Sequence, residues 1–119
     1  MIVSPNLIDL DSKLDLAIIE LDKRNFQEAM EICKKILDEN NNSIDALKIL
    51  GKSLLAERQA KSAQLYFKKA LNLAPGDYEI LKDLGNSHQA IGENQQAKRY
   101  FEEALSLNPD YAPALANLG

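Results

Sequence analysis

Apolar residues recur at three-and-four spacing through most of this 119-residue chain. Ile44, Leu47, Leu50 and Leu54 mark one helix face, and Ala63, Phe67, Ala70 and Leu71 mark a second one shortly after. No strand alternation competes with them. The two faces return on a fixed period: Ala29, Ala63 and Ala97 stand 34 apart, as do Cys33, Phe67 and Phe101, and Ile36, Ala70 and Ala104. Each unit of that period predicts a helical hairpin, and hairpins in series predict a stack that buries one continuous core. The frame runs through residues 10–43, 44–77 and 78–111. Residues 1–9 precede it as a segment able to extend the first helix, and residues 112–119 restart the pattern as the first helix of a truncated or capping fourth unit.

Start and stop signals fall on the same frame. Ser43 and Asp77 are placed to cap the amides of the helix that follows each, and Gly92 to close the first helix of the third unit. Pro75 and Pro109 end second helices. Ser4 and Pro5 form a further cap and first helical residue, which would start the opening helix near Pro5.

These residues resemble the tetratricopeptide repeat family. The third unit carries the pattern in Leu81, Leu84, Gly85, Gly92, Ala97, Tyr100, Phe101, Ala104 and Pro109, and the second in Leu47, Leu50, Gly51, Ala63, Tyr66, Phe67, Ala70 and Pro75. The resemblance covers nearly everything from Leu10 onward. It implies an all-α, right-handed superhelical solenoid of antiparallel helix pairs, three repeats plus a half-repeat, whose first helices line a concave groove. Gly51 and Gly85 would leave room where helices cross closely, with Phe67 and Phe101 filling the space between. The first unit departs from the pattern, with Ala17 for Gly, Cys33 for Phe, Ile36 for Ala, and Asn40, Asn41 and Asn42 where the others place Pro. It is expected to be the looser unit, with Ile36 restoring part of the volume that Cys33 lacks.

Composition narrows the function. A chain of this length with 45% hydrophobic residues has room for one compact domain or one short array, and a net charge of -4 argues against a nucleic-acid partner. The opening residues lack the features of a signal peptide, and no stretch is apolar for the length of a membrane span. A cytoplasmic protein is expected. Cys33 is the one cysteine and reads as a small core residue, and His88, the one histidine, falls where the second unit has Leu54. The glycines never cluster into a phosphate loop. Asp9, Asp11, Asp15 and Glu20 copy part of the spacing of a calcium loop, but Lys13 and Leu14 stand where a ligand and the turn glycine belong. Neither catalytic residues nor a metal or other cofactor are expected, and the chain reads as no enzyme.

Transferring the family's groove positions gives Asp11, Leu14, Ile18 and Leu21 from the first unit, Asp45, Lys48, Lys52 and Leu55 from the second, and Glu79, Lys82, Asn86 and Gln89 from the third. Residues 44–77 hold three acids against six bases, whereas the segments on either side are acidic. Lys48 and Lys52 lie one turn apart and Lys82 repeats the place of Lys48, so three ammoniums are expected to converge beside Asn86 and Gln89. A peptide would direct carboxylates toward Lys48, Lys52 and Lys82 and an apolar residue toward Leu14, Ile18 and Leu55. Some members of the family grip a chaperone's C-terminal carboxylate with a clamp of Lys, Asn, Asn, Lys and Arg. Leu14, Ile18, Ile49, Glu79 and Asp83 stand at those places, which disfavours a co-chaperone. The leading expectation is a non-catalytic scaffold or adaptor for a protein or peptide, with an acidic segment as the expected ligand. The alternatives are the substrate-recruiting N-terminal region of a larger enzyme such as a transferase, and a homo-oligomerisation unit. The stripe of Leu14, Ile18 and Leu21 would meet a partner, a second copy, or Ile2, Val3, Leu7 and Ile8 folded back. Leu115 and Leu118 are left without the usual capping helix, so either the last helix is itself the cap or the chain is a piece of something longer. An ending on Leu118 and Gly119, at the family's own Leu-Gly motif, points to the piece.

Overall fold

The computed structural model describes residues 10–118, with side chains from Ser12 onward. The expected start near Pro5, the fold-back of Ile2, Val3, Leu7 and Ile8, and Asp9 lie outside the described residues. Seven helices follow one another: α1 (Leu10–Asp22), α2 (Phe26–Glu39), α3 (Ile44–Ala56), α4 (Ala60–Leu73), α5 (Tyr78–Ala90), α6 (Asn94–Leu107) and α7 (Ala112–Leu118). There is no strand among the described residues.

Local chemistry sets the boundaries. The Ser43 hydroxyl accepts from the Ala46 amide at 3.3 Å, and the Asp77 carboxylate accepts from the Glu79 and Ile80 amides at 3.0 and 3.2 Å. Both satisfy amides that the first turn of a helix leaves open. Pro75 and Pro109 stand just beyond the last residues of α4 and α6; Asn41 takes the matching place after α2, in a turn where the Asn40 side chain accepts from the Asn42 amide at 3.1 Å.

The turns inside the hairpins are built alike. Arg24, Arg58 and Gly92, 34 apart, all take left-handed backbone angles, with φ of 64°, 64° and 80°. Each donates its amide to the carbonyl three residues back, while the next residue donates five back: Asn25 to Glu20, Gln59 to Leu54 and Glu93 to His88. This paired closure uses carbonyls that would otherwise go unmet, and it favours glycine because a Cβ is strained there. Arg58→Gly is expected to stabilise the protein by about 0.5–1 kcal/mol, read as a rise in the urea midpoint.

Packing follows from small residues facing large ones. Phe67 and Phe101 are fully buried. A Cβ on Gly51 would lie 2.5 Å from the Phe67 ring, and one on Gly85 would lie 2.3 Å from the Phe101 ring, so each glycine is the seat of its phenylalanine. The first repeat solves the same problem with different parts: Ala17, Cys33 and Ile36 occupy the Gly, Phe and Ala places and are all buried. The smaller Cys33 admits the Ala17 methyl, and Ile36 restores volume. Consecutive helices pack in sequence order, first helices touch the first helices of adjacent repeats, and second helices do not touch one another among the described residues. That asymmetry puts α1, α3, α5 and α7 on the inner side of an elongated stack of 54 × 26 × 22 Å. An all-α helical repeat solenoid is thus what the periodicity predicted.

Candidate functional site

The inner side opens into a cleft of about 280 Å³ between α1 and α3, closed at one end by α5. Leu14, Ile18 and Leu21 of α1 and Ile49 of α3 give it apolar surface, and Asp45, Lys48, Lys52 and Glu79 give it charge. The helical period explains the convergence, because Leu14, Ile18 and Leu21 share one face of α1, and Asp45, Lys48, Ile49 and Lys52 share one face of α3. Ile18 is 42% exposed, while Leu14 and Leu21 pack their other sides against the core.

The three lysines do converge, but onto carboxylates of this same chain. Lys48 meets Asp77 at 3.1 Å and Glu79 at 3.3 Å, Lys52 meets Glu79 at 3.3 Å and Asp83 at 2.7 Å, and Lys82 meets Asp83 at 2.8 Å. Asp77 serves twice, capping α5 with one oxygen and holding Lys48 with the other. Asp83, whose side chain is 4% exposed, sits between two ammoniums. The network ties α3 to the start of α5.

Its electrostatics follow from those distances. Burial alone would lift the Glu79 carboxyl, but Lys52 and Lys48 outweigh it and hold the group below its ordinary value. Burial would likewise lower the Lys48 ammonium, but its hydrogen bond to Asp77 and the charges of Glu79 and Asp77 keep it above its ordinary value. A depressed carboxylate contributes stability above its unfolded pKa and loses it as pH falls through the folded one; a raised ammonium contributes below its unfolded pKa and loses it as pH rises through the folded one. The melting temperature is therefore expected to fall as pH drops below 4.5, the ordinary value for Glu79. Glu79→Gln should make that acid limb shallower, which circular-dichroism melts across the range would show.

The eight groove residues expected to meet a peptide divide between places. Leu14, Ile18, Lys48 and Lys52 line the cleft. Leu55 is half-buried against the core, and the Lys82 ammonium is engaged with Asp83. Asn86 accepts from the Asn117 side chain of α7 at 2.7 Å, and Gln89 lines a second cleft, of about 340 Å³, with Asn94, Lys98, Asn117 and Leu118. Ile49 was not among the eight, although it is both buried core and cleft wall. A usable signal for the network did exist in the sequence. Lys48 and Glu79, Lys52 and Asp83, and Asn86 and Asn117 are each 31 positions apart, one turn short of the repeat.

Two reactive residue types serve packing. Burial pushes the Cys33 thiol up to about 12, far from the thiolate that nucleophilic chemistry needs. The buried His88 ring stacks on Tyr100 with centroids 5.3 Å apart, and its Nδ1 lies 2.9 Å from Glu93. No helix among the described residues is long and apolar enough to cross a membrane.

Comparisons with known proteins agree with this architecture. The family model of the tetratricopeptide repeat matches residues 78–111. No curated protein matches the chain. Among solved structures, the Thermobaculum terrenum O-GlcNAc transferase superimposes with a TM-score of 0.90 at 22% identity, over 98% of this chain and 22% of its own. MamA gives 0.86 at 22% identity over 92% of this chain and 64% of its own. The second TPR domain of human RPAP3, solved in complex with the HSP70 peptide SGPTIEEVD, gives 0.84 at 18% identity over 90% and 89%. This chain thus spans less than two thirds of the length of the first two, and at these identities the likeness is one of fold.

Proposed function

We propose that this array of tetratricopeptide repeats is a non-catalytic, cytoplasmic scaffold or adaptor that holds a peptide or protein segment along its inner face. The observation that carries the reading is the open cleft between α1 and α3, where the half-exposed Ile18 and the partly buried Leu14 and Leu21 stand against a charged wall. Leu14, Ile18, Lys48 and Lys52 form the central contact, and Leu55, Lys82, Asn86 and Gln89 continue the face toward α7. The RPAP3 domain, of similar fold, was solved holding a peptide, which supports the same use of the scaffold here. A second reading has its own support: the transferase matches nearly all of this chain with a small part of its own, as a substrate-recruiting region of a larger enzyme would.

Selection from a random-peptide display library tests the first reading. Selected peptides should perturb backbone amide resonances of α1, α3 and α5. Peptides that perturb only α2, α4 and α6 would contradict it. Light scattering over a range of concentrations separates the adaptor from a homo-oligomerisation unit, since stable self-assembly raises the apparent mass.

A further inference from the structure

The chemistry of the cleft says more about what enters it. Three cations, Lys48, Lys52 and Lys82, face four carboxylates, Asp45, Asp77, Glu79 and Asp83. All three cations are already paired with three of these acids at 2.7–3.3 Å. A carboxylate arriving from a partner would have to share ammoniums whose charge these acids already offset, Asp83 from a nearly buried position. The charge left over is negative. Asp45 lines the cleft, is exposed, and makes no ion pair among the described residues. It lies in the first turn of α3, where the helix amides favour a carboxylate but do not neutralise it.

The rest of the cleft is aliphatic. Leu14, Ile18, Leu21 and Ile49 border an open cleft of about 280 Å³. A single aliphatic side chain suits it. On the premise that the groove holds a peptide, we infer that the segment it recognises carries a leucine, isoleucine or methionine for this cleft and a lysine or arginine beside it for Asp45. The sequence alone pointed to an acidic segment; the pairing of the lysines supports a basic one. The net charge of -4 on the whole chain draws in the same kind of partner.

The peptides selected by display are the probe, with affinities measured against variants of the full chain. The expected consensus is an aliphatic residue flanked by a basic one, perturbing Leu14, Ile18 and Ile49. Ile18→Asp should weaken binding by about tenfold or more, and Asp45→Asn by several-fold with a flatter salt dependence. Leu65→Ser, on the exposed face of α4, should change nothing. Ile18 is half-exposed, so its variant should still fold, at a modestly lower melting temperature, and Ile18→Ala gives a milder version of the same test. An acidic consensus bound on the inner face, lost on Lys48→Ala, would overturn this inference and leave the groove reading intact. An aliphatic consensus indifferent to Asp45→Asn would overturn its basic half. Binding to the outer face, or no selected peptide at all, would overturn the groove reading itself.

Discussion

Replacing Phe67 by alanine is expected to lower the stability of the array by about 3–5 kcal/mol, and adding Gly51→Ala to that variant is expected to raise it again. The Phe67 ring is fully buried and lies where a Gly51 methyl would sit, 2.5 Å from its Cε1. Made alone, Gly51→Ala forces the ring out of a packed interior. That costs about 1–3 kcal/mol by overpacking, more than the roughly 0.5–1 kcal/mol that alanine gains over glycine within a helix. With the ring gone the methyl enters empty space and helix propensity decides the sign. Urea unfolding of the wild type, both single variants and the double variant measures this coupling directly. If the two costs simply add, the glycine is not the seat of the ring. Because each repeat contacts only its neighbours, a wound in the central repeat should also uncouple the ends, so the Phe67→Ala transition should broaden as well as shift.

The first repeat shows why that much of the fold was legible. Gly with Phe appears twice on the period and Ala with Cys once, so the chain itself records which sizes fit together. The caps were legible for a similar reason, since Ser43, Asp77, Pro75 and Pro109 act within a few residues of their place in the sequence. The left-handed turns at Arg24 and Arg58 were hidden because arginine carries no turn signal. Only their register with Gly92 betrays them.

The site was less legible, because its chemistry lies between repeats. Counting charge along residues 44–77 showed a basic middle, but Lys48 and Lys52 meet acids in the following unit, Glu79 and Asp83. Charges that look segregated along the chain are mixed in space. In sequence Asp77 signals a cap and Asp83 a misfit in a carboxylate clamp, and each is also a partner for lysine. Ile49 was hidden differently, as a buried residue that doubles as cleft wall, which a division of helix faces into core and groove assigns to one or the other.

Removing the Asp83 carboxylate should cost about 2 kcal/mol. Breaking a fully buried pair costs roughly 3–5 kcal/mol because it strands the other charge, but the Lys52 and Lys82 side chains keep 27% and 16% of their exposure and so retain some water. In Asp83→Ala, Lys52 still has Glu79, whereas Lys82 loses the one ion pair it makes among the described residues. Lys82→Gln added to Asp83→Ala should therefore recover part of the loss. Asp83→Ile, which copies Ile49 at the same place in the preceding repeat, should remain destabilising while both lysines are present. A wild-type urea midpoint for Asp83→Ile would mean that the carboxylate only fills space. The effect should also reach the groove. Asp83 does not line the cleft, yet Lys52 and Glu79 do, and Asp83 holds Lys52 in place from behind. Asp83→Ala should therefore weaken binding of a cleft-selected peptide several-fold without touching it, and the recovering Lys82→Gln change should restore stability more than affinity, because it does not return the anion that orients Lys52.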